Sequence, residues 1–152
     1  LMEDKKQMNR TITTIGGLTG SDLYTWLQND LYNSLPIDLK PYIKSINKKT
    51  SAGNKSITIN TNSMKVFLFS EVEIFGKKTY SVTGEGEQYS YFNIDINRTK
   101  NSLSNGNGIT WLWWQRSPKY DSSGYFCNVS NSGVVDYNGA SDLYGVCFGF
   151  CI

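Results

Sequence analysis

The 152-residue chain has no histidine, and this removes both the usual general base near neutral pH and the commonest metal ligand. Proline is scarce, at three, and no apolar run approaches the roughly 20 residues that cross a bilayer, so no membrane insertion is expected. The opening Leu-Met-Glu-Asp-Lys-Lys carries no hydrophobic signal core and reads as the start of a piece of something longer. Cysteines number three, an odd count, and none of Cys127, Cys147 and Cys151 falls in a Cys-x-x-Cys pair. If 147–152 is a strand, Cys147 and Cys151 share a face but lie roughly 13 Å apart, too far to bridge. A bridge from Cys127 to either one stays open, and small buried hydrophobes in a reducing compartment are the favoured reading. Excess charge is also small, at +2. Thirteen of the fifteen Lys and Arg residues precede position 101, leaving only Arg116 and Lys119 in the aromatic last third. A nucleic-acid reader needs its cations on the binding face, so no nucleic-acid partner is expected.

Glycine is plentiful at fourteen residues, and aromatics make up 14% of the chain, a balance that favours strands and tight turns over helical bundles. The length suits a single domain, 1–152, able to bury a core without staples, and the fold class expected is α+β.

Thr11 to Ile15 alternate and then meet Gly16-Gly17, which predicts an opening strand over 8–15. Ser21 or Asp22 can cap a helix whose apolar stripe is Leu23, Trp26, Leu27 and Leu31, closed by Pro36. A second helical turn is expected within 38–46, with Pro41 in its first turn. The polar stretch 48–63 reads as an exposed loop or hairpin around Ser56-Ile57-Thr58-Ile59, followed by a strand over 64–69. Ser70 with Glu73 forms a capping-box pattern, so Glu71 to Phe75 predicts one helical turn ended by Gly76. Gly84-Glu85-Gly86-Glu87 reads as a turn backed by Tyr89, Tyr91 and Phe92, and 102–108 as a polar loop. Strands follow over 125–129 and 134–137, joined by Asn131-Ser132-Gly133 as a β-hairpin, and over 145–152.

Between them lies the most informative stretch. Trp111-Leu112-Trp113-Trp114-Gln115-Arg116-Ser117-Pro118 gives way, from Lys119 to Leu143, to a tract with three Asn, five Ser, three Asp, three Tyr and three Gly. Tyrosine offers rigid amphipathic contact area while Ser, Gly and Asn offer adaptable hydrogen bonds, the composition of a binding surface. The ligand-contacting residues expected are Gln115, Tyr120, Asp121, Ser122, Tyr125, Asn128, Ser130, Asn131, Asp136, Tyr137, Asn138 and Asp142. In the hairpin, Tyr125, Cys127 and Val129 share one face and Phe126, Asn128 and Ser130 the other. Scaffold roles fall to Trp111, Trp114, Arg116, Gly133 and Gly145, with the five-donor fork of Arg116 holding its loop by fixed hydrogen bonds. Trp113 reads equally as scaffold or as part of an aromatic platform for a sugar ring.

The run Trp113 to Pro118, then Phe126-Cys127-x-Val129, Gly133, Ala140 and Gly145-Val146-x-Phe148-x-Phe150 resembles the carboxy-terminal signature of a group of phage and gut-bacterial proteins. That group is similar to the formylglycine-generating-enzyme-like branch of the C-type lectin fold. Leu31-Tyr32-Asn33-Ser34-Leu35-Pro36, Leu68 through Gly76, and Glu85-Gly86-Glu87-Gln88-Tyr89 extend the resemblance over nearly the whole chain. It implies antiparallel strands with one or two helices and long loops. The branch includes the variable proteins of diversity-generating retroelements, such as a phage major tropism determinant, whose carboxy-terminal region is diversified at adenine-rich codons. On that likeness 111–152 would be the variable-type region, displayed on a virion tail or a bacterial cell surface. Cys147 and Phe148-Gly149 depart from the group's pattern, and the tripeptides that coordinate calcium in sugar-binding lectins are absent.

Catalysis finds little support. Cys147 and Cys151 are misplaced for the copper chemistry of formylglycine-generating enzymes, and a solvated turn or a helix cap explains Glu71 with Glu73 and Glu85 with Glu87 more cheaply than acid–base pairs. The expectation is a non-enzymatic domain with no metal and no cofactor, binding a protein or glycan on a bacterial surface. A tail or assembly module using the same face for homo-oligomerisation is the second reading, and a degenerate oxidase the third.

Overall fold

The computed structural model describes Met2, residues 4–102 and residues 108–152. It is a small α+β domain with short helices and antiparallel sheets. Ser21 caps α1 (Asp22–Trp26), its side chain accepting from the Tyr24 N–H. The helix runs on through a π-turn, Leu27–Leu31, in which the Tyr32 N–H reaches back to the Leu27 carbonyl. That extra residue per turn keeps both Leu27 and Leu31 buried before α2 (Tyr32–Ser34) closes the segment. Leu35 turns to extended backbone ahead of Pro36, as the residue before a proline must. Lys40–Tyr42 forms a 3-10 turn with Pro41 in its first turn.

Strands β1 (Ile46–Ser51) and β2 (Ile59–Met64) pair as the antiparallel hairpin anticipated in the polar stretch. The expected strand over 64–69 is broken: Met64 ends β2, and only β3 (Phe67–Leu68) continues, paired with β7 (Phe148–Gly149). Ser70 accepts from the Glu73 N–H while the Glu73 side chain accepts from the Ser70 N–H, so the capping box is complete at α3 (Glu71–Phe75). Gly76 ends the helix in the left-handed region, φ 72°, where a side chain would be strained.

The central element is β4 (Trp113–Pro118), every residue of which is buried. It pairs with β5 (Tyr125–Val129), which pairs in turn with β6 (Val135–Gly139) at the sheet edge. Gly133, at φ 80°, closes the three-residue loop between Ser130 and Val134, the Gly133 N–H donating to the Ser130 carbonyl. Alternation along β4 sends Trp114 into the main core with Leu23, Leu27, Leu68, Phe126 and Val146. Trp113 goes into a second cluster with Ile74, Phe92 and Val129. Both indoles are fully buried, and each N–H finds a carbonyl: Trp113 on Arg98 at 2.9 Å and Trp114 on Lys6 at 2.7 Å. Trp113 is therefore scaffold and not part of an exposed platform.

The predicted strand over 8–15 does not form. Met8 and Asn9 are buried, but the segment docks piecewise, Asn9 N–H on the Ala140 carbonyl and Thr14 N–H on that of Ser123. Local bonds such as Thr13 N–H to the Thr11 carbonyl bend it away from a ladder. The strand expected over 145–152 shortens to β7, with an isolated bridge at Cys151. The loop expected over 102–108 lies outside the described residues except at its ends.

Ser70→Ala removes the cap from a buried helix start and the hydroxyl donor to the Glu85 carbonyl. A loss of about 1–2 kcal/mol is expected from the urea unfolding midpoint, and an unchanged midpoint would show that the cap does not hold α3.

Candidate functional site

Five charged side chains among the described residues, Lys48, Glu71, Glu73, Glu85 and Arg116, are buried inside the molecule. Arg116, completely buried on β4, uses all five guanidinium N–H groups. Nε donates to the Lys49 carbonyl at 3.1 Å; one terminal nitrogen donates to the Leu68 carbonyl at 2.9 Å and to Glu73; the other donates to Glu73 and to the Glu85 carbonyl. Glu73 also takes a hydrogen bond from the buried Lys48 ammonium, which bonds the Tyr89 hydroxyl at 3.0 Å. The expectation that Glu85 sits in a solvated turn is overturned, because it is buried, as are Glu71 and Glu73. Glu73 is a helix cap, as expected, but its carboxylate is consumed by Arg116 and Lys48. Glu71 accepts from three successive backbone N–H groups, those of Thr79, Tyr80 and Ser81. Burial pushes the Glu85 carboxyl above the usual glutamate range. The Arg116 charge, the Ser117 hydroxyl and the Ser51 N–H work against that, and Glu73 adds to it.

This frame supports an exposed tyrosine cluster at the near end of the β4–β5–β6 sheet. Tyr137 on β6 stacks against Tyr125 on β5, with centroids 5.9 Å apart and planes at 21°, the diagonal contact their register allows. Tyr80 meets the Tyr137 ring edge-on at 4.8 Å. Lys119 places its ammonium 4.7 Å from the Tyr137 centroid and 5.6 Å from that of Tyr120, and pairs with Asp121. That hydrogen bond raises the Lys119 pKa and lowers that of Asp121. Tyr120 and Tyr125 stay 51% and 42% exposed. Beside them lies a recess of about 350 Å3 lined by Ile12, Tyr125, Tyr137, Asn138, Gly139 and Asp142.

Of the twelve expected contact residues, Tyr120, Asp121, Ser122, Tyr125, Tyr137, Asn138 and Asp142 fall in or beside this near end. Gln115 and Asn128 do not: both are completely buried, so they cannot touch a ligand on this surface. The Asn128 amide instead donates to Asn138 Oδ1 at 2.7 Å. Both faces of β5 are covered beyond Tyr125, which is why alternation did not expose Asn128. Ser130, also buried, and exposed Asn131 belong to the far turn, about 20 Å from Tyr125 at strand rise. Asp136 bonds the Tyr137 N–H at 2.8 Å and Asp142 the Gly139 N–H at 3.0 Å, so each holds the edge strand with one carboxylate oxygen.

Gly145 exchanges backbone bonds with Leu112 and Trp114, and Trp111 is half-buried beneath the Lys5 ammonium at 4.1 Å. Ile12, Tyr80 and Lys119 were missed as site residues. Ile12 reaches the site because Gly124 is bare: a Cβ there would meet the Ile12 side chain at 2.5 Å. The cysteines are free thiols, and burial raises the pKa of Cys127 well above normal and that of Cys147 as well. No group of acidic, cysteine or histidine side chains able to hold a metal occurs among the described residues. No described helix is long and apolar enough to cross a membrane.

These features define a class: a small α+β domain in which a buried ion network supports an aromatic surface cluster. The chain belongs to the DUF6273 family, described as a domain of unknown function, whose family model matches residues 1–152. No curated protein and no solved structure matches it.

Two changes test the buried network. Glu73→Gln keeps the capping geometry but strips the charge facing Arg116 and Lys48, and an unfolding free energy lower by about 3–5 kcal/mol is expected, read by chemical denaturation. Glu85→Gln tests linkage. A carboxyl that holds its proton more tightly in the folded than in the unfolded chain costs stability as pH rises from the ordinary value of 4.5 through the raised one. Denaturation from pH 4 upward should show the variant gaining on the wild type with pH, and a constant difference would contradict the raised pKa.

Proposed function

We propose that this chain is a non-enzymatic binding domain of C-type-lectin-like fold that grips a protein or glycan on a bacterial surface through its near-end tyrosines. The observation that carries this reading is the stack of Tyr125 on Tyr137 beside exposed Tyr120, at the rim of a recess and above a rigid buried frame. Exposed, pre-ordered aromatic rings lose little entropy on contact and dominate interface energetics. The cysteine pKa shifts favour neutral thiols over the thiolates that an oxidase needs, which supports the non-enzymatic side of the reading.

The resemblance to retroelement variable proteins adds a phage or prophage setting, with Lys119 to Leu143 as the diversified surface. Burial of Asn128 concentrates that surface at Tyr120–Ser122, Tyr125 and the β6 edge. A template repeat near the gene, differing at adenines in those codons, is the genetic observation that belongs with this setting.

Arrays of bacterial surface glycans and cell-surface proteins, probed with wild type and with a Tyr120→Ala, Tyr125→Ala double variant, test the binding role. The expected result is a signal at least tenfold weaker in the variant with an unchanged melting temperature, since hot-spot truncations cost about 2 kcal/mol or more. Equal binding by the variant would end the proposal. So would light scattering that finds a tight oligomer whose assembly the double variant abolishes, because the face would then belong to self-association.

A further inference from the structure

We infer that the recess at the β6 edge takes an arginine side chain presented by a partner protein. This rests on the binding face proposed above and specifies what that face recognises. The molecule itself displays the mode of contact. Lys119 lies over Tyr137 and Tyr120 and pairs with Asp121, so on that side of the cluster a cation rests on tyrosine faces and closes on a carboxylate. The recess repeats the same parts, Tyr125 and Tyr137 as walls and Asp142 at the rim, without a cation. Among the described residues Asp142 is in no ion pair, and its carboxylate accepts one hydrogen bond, from the Gly139 N–H, on a single oxygen.

Charge complementarity points the same way. The tract 119–143 holds one Lys against three Asp, a net charge of −2 on a chain whose total is +2. Lys119 is committed to Asp121, so the excess negative charge sits on Asp136 and Asp142, at the strand edge that forms the recess. A planar guanidinium suits this site better than an ammonium: it stacks flat on tyrosine while its fork of N–H donors meets a carboxylate. A protein suits it better than a free cation, because Ile12, 64% exposed on the recess wall, and Tyr120, exposed in the same tyrosine cluster, offer apolar contact that a bare cation leaves unused. That arrangement matches an interface anchor with its surround, where arginine is among the enriched residues.

The test uses the intact chain with labelled tyrosine rings followed by NMR, titrated with the pentapeptides Gly-Gly-Arg-Gly-Gly, Gly-Gly-Lys-Gly-Gly and Gly-Gly-Glu-Gly-Gly and with guanidinium chloride. The arginine peptide should shift the Tyr125 and Tyr137 signals saturably and more tightly than the other three. Asp142→Asn should weaken it by about threefold or more, the range of an exposed ion pair, while the same change at Asp38, exposed and outside the recess, leaves it unchanged. Asparagine at 142 can still accept from the Gly139 N–H, so the strand edge survives, and an unchanged melting temperature would confirm it. Equal binding of the glutamate peptide, or indifference to Asp142→Asn, overturns the arginine assignment and leaves the tyrosine face standing. Tighter binding of the lysine peptide overturns the preference for guanidinium, and tighter binding of free guanidinium overturns the partner protein. If no peptide moves these rings while the double tyrosine variant still loses an array ligand, only this inference falls; if that variant also binds normally, both fall.

Discussion

Arg116 carries a charge that burial would make intolerable if any of its donors were left unpaired. Removing such a group from water costs several kcal/mol, and only a complete set of well-placed acceptors returns it. Here the acceptors come from four places in the chain: the Lys49 carbonyl on β1, the Leu68 carbonyl on β3, the Glu73 carboxylate on α3, and the Glu85 carbonyl in the Gly84–Glu87 turn. One planar group therefore fixes the mutual positions of two sheets, a helix and a turn. Each of those elements is too short to fold on its own propensity. Helix α3 is five residues and β3 two, well below the length at which an isolated helix or strand pair is stable.

The same strand carries the arrangement outward. Next to Arg116, the Ser117 hydroxyl accepts from the Glu71 N–H at 3.0 Å, and the Glu71 carboxylate in turn gathers the N–H groups of residues 79–81. That fold-back sets Tyr80 against Tyr137, and its carbonyl accepts from the Tyr120 N–H at 2.7 Å. A path of chain steps and hydrogen bonds thus runs from the buried guanidinium to the exposed Tyr120. For the proposed binding role the consequence would be entropic: side chains already ordered by their neighbours have less freedom to lose on contact, so more of each contact would remain as affinity.

What was legible in the sequence was local. Ser21 as cap, the Ser70–Glu73–Gly76 helix signal, the glycine-bearing hairpin loop and β5 could be read because each depends on residues a few positions apart. The scaffold role of Arg116 was legible too, since a guanidinium beside a Trp-Trp run has few other uses. The burial of Glu73 was not, because it depends on Lys48 and Arg116, each more than twenty positions away along the chain; Glu71 is held instead by the N–H groups of residues 79–81, and Glu85 by the Ser51 N–H. Gln115 and Asn128 look like surface residues by type, and only the covering of both faces of β4 and β5 puts them inside. The opening segment alternates like a strand, yet it docks by single backbone bonds to Ala140 and Ser123 and bends through the bond from the Thr13 N–H to the Thr11 carbonyl. Ile12 joined the site for a reason no periodicity records: the bare backbone of Gly124 leaves room for it.

The strand edge decides what kind of recognition remains. Ser130 bonds Val134 and Gly124 bonds Ala140 across the hairpin, so the even-numbered residues of β6 turn their backbone groups toward β5 and the odd-numbered ones turn outward. The outward N–H groups of Tyr137 and Gly139 are taken by the side chains of Asp136 and Asp142. An incoming strand would have to displace two carboxylates before it could pair, which is how natural sheets discourage edge-to-edge association. With backbone pairing blocked, contact falls to side chains, and the aspartates that guard the edge also supply the negative charge beside the tyrosines. Residue types can vary at Tyr120, Asp121 or Tyr125 without exposing the ladder, whereas a change to Asp136 or Asp142 that removes the acceptor opens an edge. A diversified surface on this frame would therefore be free at the tip of β5 and constrained along β6.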